Sequence, residues 1–239
     1  MNATTIDRRP SAWDGRAGAG PYLRSRLSGA YWTMAASLSL TALVAAVVAG
    51  SPAIRAVVAE KAAFPYLAIA SALLFALAIG GRFGKWPASL VRLALVTFAT
   101  LLGVALAGAS LAFAGLDPSA AIASAAMLFA TLGLLVRFAR KDPFRGPVLA
   151  ISAVVALVIA DLAHLAAGSS ATQFAASIAS ILIFTWAIAR HDGRMRELLV
   201  EREPDGEASA AGALSLHLSV LAPLRFRRAK VHRPERAGP

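Results

Sequence analysis

Asp161 and His164 stand three residues apart in the otherwise apolar run over residues 147–167. That spacing puts a carboxylate and an imidazole on one helix face, where they can pair. Charge is costly in an apolar medium, so ionisable groups there mark proton or ion chemistry by default. The alternative is that both side chains reach interfacial water at the end of the run. His191 and Asp192 close the next apolar run and are followed by Gly193 and Arg194. A histidine beside a carboxylate titrates near physiological pH and suits a proton-sensitive gate; a plain helix end, where a cation complements the dipole, is the other reading. His217 lies near the middle of the last apolar run, with Ser219 two residues on. One backbone carbonyl satisfies a neutral imidazole, so His217 fits a packing role as well as a functional one. Ser110 with His164 would supply a nucleophile and its base, but no oxyanion partner accompanies them. The chain has no cysteine, which excludes disulfides, thiolate metal sites, a cysteine nucleophile and a cysteine-borne lipid anchor. The residues point to no catalytic, cofactor or metal site, and the expectation is that this is not an enzyme.

The elements that must position these groups follow from how charge is distributed. Of 239 residues 58% are hydrophobic and 15% charged, and the mean hydropathy is +0.65. Ordinary soluble domains carry about 25% charge, and disordered chains carry more charge and less hydrophobicity. Seven runs, residues 30–50, 63–80, 93–114, 118–136, 147–167, 171–189 and 208–224, hold one formal charge between them, Asp161. A hydrocarbon core about 30 Å thick needs about 20 helical residues. The alternation over about 10 residues that marks membrane strands is missing, and helices are the other structure that satisfies its backbone in lipid. The sequence therefore predicts an all-α polytopic membrane protein: a polar arm (1–29), a helical membrane domain (30–224) and a basic tail (225–239). The first run follows a long polar arm and exceeds the 7–15 residues of a signal-peptide core, so it reads as a retained helix.

Lysine and arginine counts orient the helices. The arm and the second, fourth and sixth connections carry most of the chain's 24 basic residues, whereas the first connection holds Arg55 and Lys61 and the third and fifth hold none. This predicts a cytoplasmic N-terminus in a bacterial inner membrane. The net charge of +11 is then a topology signal, with no nucleic-acid partner implied. The last run either spans, placing the basic tail outside, or is re-entrant and leaves it inside, where it could rest on anionic headgroups. Small residues four apart, Gly103 with Ala107 and Ala175 with Ala179, are read as close-packing positions. Ile-Ala-Ser recurs at residues 69–71, 122–124 and 178–180, which fits either repeated hairpins or chance in a chain rich in alanine and serine.

The run Ala156-Leu-Val-Ile-Ala-Asp161-Leu-Ala-His164, then Ser169-Ser-Ala-Thr-Gln173-Phe-Ala, then Ile183-Phe184 through Arg194, resembles the fifth-to-sixth-helix region of bacterial Bax inhibitor-1-like membrane proteins. Gly212-Ala-Leu-Ser-Leu-His217-Leu-Ser219 resembles that family's Gly-Ala-Leu-Ser-Leu-Tyr-Leu-Asp. Tyr22-Leu-Arg24, Met34, Leu40-Thr41-Ala-Leu-Val-Ala and Ser51-Pro-Ala are similar to its first segment. The resemblance implies about seven transmembrane helices, six surrounding the last, with a cytoplasmic N-terminus. It also implies a pH-responsive calcium or cation leak, or modulation of membrane-protein quality control through a membrane-anchored AAA protease. The family's two aspartates fall at His191 and Ser219, its arginine matches Arg194, and Asp192 is displaced by one place. The paired carboxylates of an oxygen-rich calcium site are therefore not carried over. Gly108-Ala-Ser110 and Ala163-His164-Leu-Ala-Ala-Gly168 resemble fragments of rhomboid intramembrane proteases, with Leu111 where that family has glycine. An inactive membrane scaffold is the remaining alternative.

Overall fold

The computed structural model describes residues 19–60, 64–79, 86–112, 118–138, 146–167, 170–201 and 205–220. They form eight helices: α1 (Ala19–Gly50), α2 (Pro52–Glu60), α3 (Phe64–Ile79), α4 (Ala88–Ala112), α5 (Pro118–Phe138), α6 (Gly146–Ala167), α7 (Ala171–Glu201) and α8 (Asp205–Val220). The described part of each of the seven apolar runs lies on one helix. The additional element, α2, is a nine-residue helix in the first connection. Proline marks the starts: Pro52 and Pro118 open α2 and α5, Pro65 and Pro147 are second residues of α3 and α6, and Pro87 precedes α4. In a first turn, proline's missing N–H forfeits no helical bond. Helix α7 begins with a reciprocal cap. The Gln173 amide donates to Ser170 Oγ at 3.3 Å and the Ser170 amide donates to Gln173 Oε1 at 3.0 Å.

Among the described residues four helices are, by length and composition, long and apolar enough to cross a membrane, over Arg24–Gly50, Ser89–Leu111, Pro118–Phe138 and Ala171–Ala189. Tyr66–Ala76 and Leu149–Ala163 are shorter apolar stretches. Two ends depart from the apolar runs. Helix α1 begins at Ala19, within the stretch that reads as a polar arm, and buries Arg26, Leu27 and Ser28. Helix α7 runs twelve residues past Ala189, the end of its apolar run, to Glu201. His191, Asp192 and Arg194 therefore lie inside a continuous helix and not at its end. A glycine within a helix costs only about 1 kcal/mol, and the good helix formers after Gly193 carry the turns onward. The charges there end the apolar run, which is a different boundary from the end of the helix.

Helix α1 is the hub. It packs on α5, α4 and α8; α3 lies against α4, and α6 lies against α5 and α7. Helix α8 packs on α1, α7 and α4, and is buried from Ala210 to Leu214 and again at Leu216 and His217. Helix α8 is enclosed, but three helices and not six are its principal neighbours among the described residues, because α1 and not α8 takes the central place in the bundle. Residues 221–239 lie outside the described residues, and with them the side on which the basic tail falls.

The distribution of side-chain size is that of a protein dissolved in lipid. On α6 the buried residues include Ser152, Ala156 and Ala160, while Ile151, Val154, Val158, Leu162 and Leu165 are exposed. In water such a face would be a large aggregation-prone patch; in hydrocarbon it costs nothing, and small inward residues let helices approach. Gly103 and Ala107 are buried as expected, Gly103 against α1. Ala175 and Ala179 are exposed, so α7 packs instead through Ser177, Ile181, Phe184 and Ile188. The Ile-Ala-Ser serines differ in setting: Ser71 is exposed, Ser124 is buried, and Ser180 donates across to the Ala121 carbonyl of α5.

Candidate functional site

Polar side chains buried in such a bundle are few: Arg26, Ser28, Ser37, Thr41, Ser124, Ser152, Ser177 and His217 among the described residues. Arginine keeps its proton throughout, which leaves His217 as the buried side chain, among the described residues, whose charge a change of pH can alter. Helix α8 presents it to the junction with α1 and α4. Its Nδ1 is 3.3 Å from the Ala213 carbonyl one turn earlier, and its Nε2 is 3.4 Å from Ser37 Oγ of α1. The Phe98 ring of α4 meets it edge to face, with centroids 5.6 Å apart at 89°. Ser37 Oγ also lies 3.0 Å from the Met34 carbonyl. One turn on, Thr41 Oγ1 reaches both the Ser37 carbonyl at 3.0 Å and the Ala99 carbonyl of α4 at 3.1 Å.

Counting protons shows what this arrangement can do. The Ala213 carbonyl can only accept, so Nδ1 carries a hydrogen. The Ser37 hydroxyl has one hydrogen and two claimants, Nε2 and the Met34 carbonyl. With a neutral ring, Ser37 donates to Nε2 and leaves the Met34 carbonyl to its helical partner. With an imidazolium, Nε2–H donates to Ser37 Oγ, whose own hydrogen returns to Met34. The junction thus has two complete hydrogen-bond patterns separated by one proton, and the second brings a full charge among apolar helices.

The other expected residues are placed as follows. Asp161 is exposed on α6, on the side of Leu162. Helix α6 also carries His164, and α7 carries His191, Asp192 and Arg194, but these side chains lie outside the described residues, as does that of Ser219 in the last turn of α8. Ser110 Oγ donates to the Ala107 carbonyl at 2.9 Å on α4. The principal neighbours of α4 are α1, α3 and α8, and those of α6 are α5 and α7. No group of three His, Cys, Asp or Glu side chains that could hold a metal ion occurs among the described residues. The residues that sequence reasoning passed over are Ser37, Thr41 and Phe98. Ser37 and Thr41 are four apart in an apolar run, a spacing that aligns two hydroxyls on one face and was a readable signal.

Fold and site together define a polytopic helical membrane protein whose last helix carries a buried titratable group. Residues 23–222 match the family described as "Inhibitor of apoptosis-promoting Bax1", and the chain belongs to this Bax inhibitor-1 family. It is also 29% identical over 205 residues to an uncharacterised protein of Deinococcus radiodurans, covering 83% of this chain and 86% of that one. No solved structure matches.

Proposed function

We propose that the chain is a proton-responsive ion leak of a bacterial inner membrane, non-enzymatic, with its N-terminus in the cytoplasm and His217 as the proton acceptor. The observation that carries this reading is the buried contact of His217 with Ser37 and Phe98, which joins α8 to α1 and α4 through one titratable ring. Among the described residues its polar contacts are the Ser37 hydroxyl and the Ala213 carbonyl, with no carboxylate to offset an added charge. A charge at the centre of a membrane helix costs on the order of 3 kcal/mol. That is enough to shift the population of a packed state by about a hundredfold. Acid therefore loosens α8 from α1 and α4, and leak rises as pH falls. Calcium is the cation that family resemblance suggests; the chain lacks the family's aspartates at residues 191 and 219, so little selectivity for calcium is expected.

Purified protein in liposomes, assayed for calcium and potassium efflux between pH 4 and 8, tests this directly. The expected result is a leak that grows mainly below pH 6, because burial without a counter-charge disfavours the charged ring, and a His217→Asn variant whose leak is flat across the range. An unchanged pH profile in His217→Asn rejects the assignment, and a profile flattened by His191→Asn instead would move the sensor to α7. No efflux at any pH, together with co-purification of a membrane-anchored AAA protease, would favour the quality-control role.

A further inference from the structure

Helix α6 meets the bundle on one side only. Its principal neighbours are α5 and α7, and its buried residues include Ser152, Ala156 and Ala160. On the outward side Ile151, Val154, Val158, Asp161 and Leu165 are all exposed. They follow one another at steps of three, four, three and four residues. That is the heptad spacing which keeps a single stripe facing a partner helix. Lipid covers the four apolar members of the stripe at no cost, but it cannot satisfy the fifth, a carboxylate.

The depth of Asp161 sharpens the problem. At 1.5 Å per residue the 22 residues of α6 span about 33 Å, close to a hydrocarbon core of about 30 Å. Asp161 lies about 9 Å from the Ala167 end, and the exposed Leu162 and Leu165 continue the apolar surface beyond it. Its side chain is too short to reach the interface as a lysine or arginine does. Among the described residues it makes no hydrogen bond or ion pair. A carboxylate so placed calls for a partner, and by helical register His164, three residues on, flanks the same stripe. Within one copy the two N–H groups of an imidazolium diverge and cannot both meet one carboxylate, and the pair would still face hydrocarbon. A second copy removes both defects. A two-fold axis along the membrane normal sets α6 beside α6 at equal depth, with residue i facing j and j facing i. Two imidazoliums then offer four N–H donors to the four oxygens of two carboxylates. One polar position in an apolar stripe also fixes the register of the two helices. We propose that α6 is a dimerisation helix: a second copy of this chain covers the stripe from Ile151 to Leu165, with Asp161 of each copy paired to His164 of the other. This assignment is independent of the leak reading.

The chain has no cysteine, so disulfide trapping of the full-length protein in native membranes reads the stripe position by position. Val158→Cys and Leu165→Cys should each yield a covalent dimer on oxidation with copper phenanthroline. Ile159→Cys, exposed on the same turn as Val158 but off the stripe, should yield about fivefold less. In the Val158→Cys background, Asp161→Leu or His164→Leu should lower the trapped dimer about fivefold, the order expected for losing polar contacts between membrane helices. The exchange Asp161→His/His164→Asp brings the same four groups together and should restore most of it. Both leucine variants alter an outward face, so they should elute and melt like the wild type. Equal trapping at residues 158 and 159, or trapping indifferent to both leucine variants, would overturn the proposal. A Val158→Cys adduct with a different protein in place of a second copy would overturn it as well.

Discussion

The Gly103→Leu substitution is expected to abolish recovery of folded protein. A Cβ at Gly103 would lie 2.8 Å from the Thr41 carbonyl oxygen, 2.8 Å from Val44 Cβ and 2.9 Å from Val44 Cγ1. One of these neighbours is backbone and cannot rotate aside, so α1 and α4 must separate. One turn from Gly103 is Ala99, whose carbonyl accepts from Thr41 at 3.1 Å, and separation strains that bond as well. Overpacking a well-fitted core costs about 1–3 kcal/mol for modest insertions and more for large ones. In lipid the loss is not offset, because helix association there rests on close packing and not on water exclusion. Gly103→Ala should lower the melting temperature in detergent, and Gly103→Leu should elute as aggregate on size exclusion. A Gly103→Leu variant that melts like the wild type would show that the α1–α4 contact is dispensable.

The second large effect is expected at Phe129, which is fully buried and joins three helices. Its ring centroid is 6.1 Å from that of Tyr31 on α1 and 5.5 Å from that of Phe184 on α7, the latter pair at 81°. Transfer from water contributes little to a residue that leaves lipid for a protein core, so the cost of Phe129→Ala is that of the void. Roughly 100 Å³ of lost volume at about 24 cal/mol per Å³ comes to about 2 kcal/mol. Loss of two aromatic pairs adds about 0.5–1.5 kcal/mol each. Phe129→Leu, which keeps most of the volume, should lose about half as much. Thermal unfolding in detergent reads both, and equal midpoints for wild type and Phe129→Ala would remove Phe129 from the account of the core.

The fold was legible because lipid simplifies the rules. A single medium demands helices, their lengths follow from its thickness, and proline at residues 52, 65, 118 and 147 marks helix starts. What remained illegible depends on contacts between helices. Asp161 drew attention as the one formal charge in the apolar runs, yet it is exposed, whereas Ser37 and Thr41 carry no charge and sit at the α1–α4–α8 junction. Arg24 and Arg137 read as separate orientation signals because they are far apart in sequence; antiparallel packing of α1 on α5 brings them to one cavity. The apparent end of α7 at His191 confused the end of the apolar run with the end of the helix.

The central claim is that the apolar outward faces of this bundle lie in lipid, and a chain without cysteine lends itself to testing it. Single cysteines would be placed at Val57 in α2, Thr172 in the first turn of α7, Leu182 on the exposed face of α7 and Ser25 near the start of α1. In spheroplasts, a membrane-impermeant maleimide should label Val57→Cys and Thr172→Cys at once, Ser25→Cys only after the membrane is opened, and Leu182→Cys only after denaturation. Labelling of Leu182→Cys in intact spheroplasts as fast as Thr172→Cys would place that face in water and contradict the account.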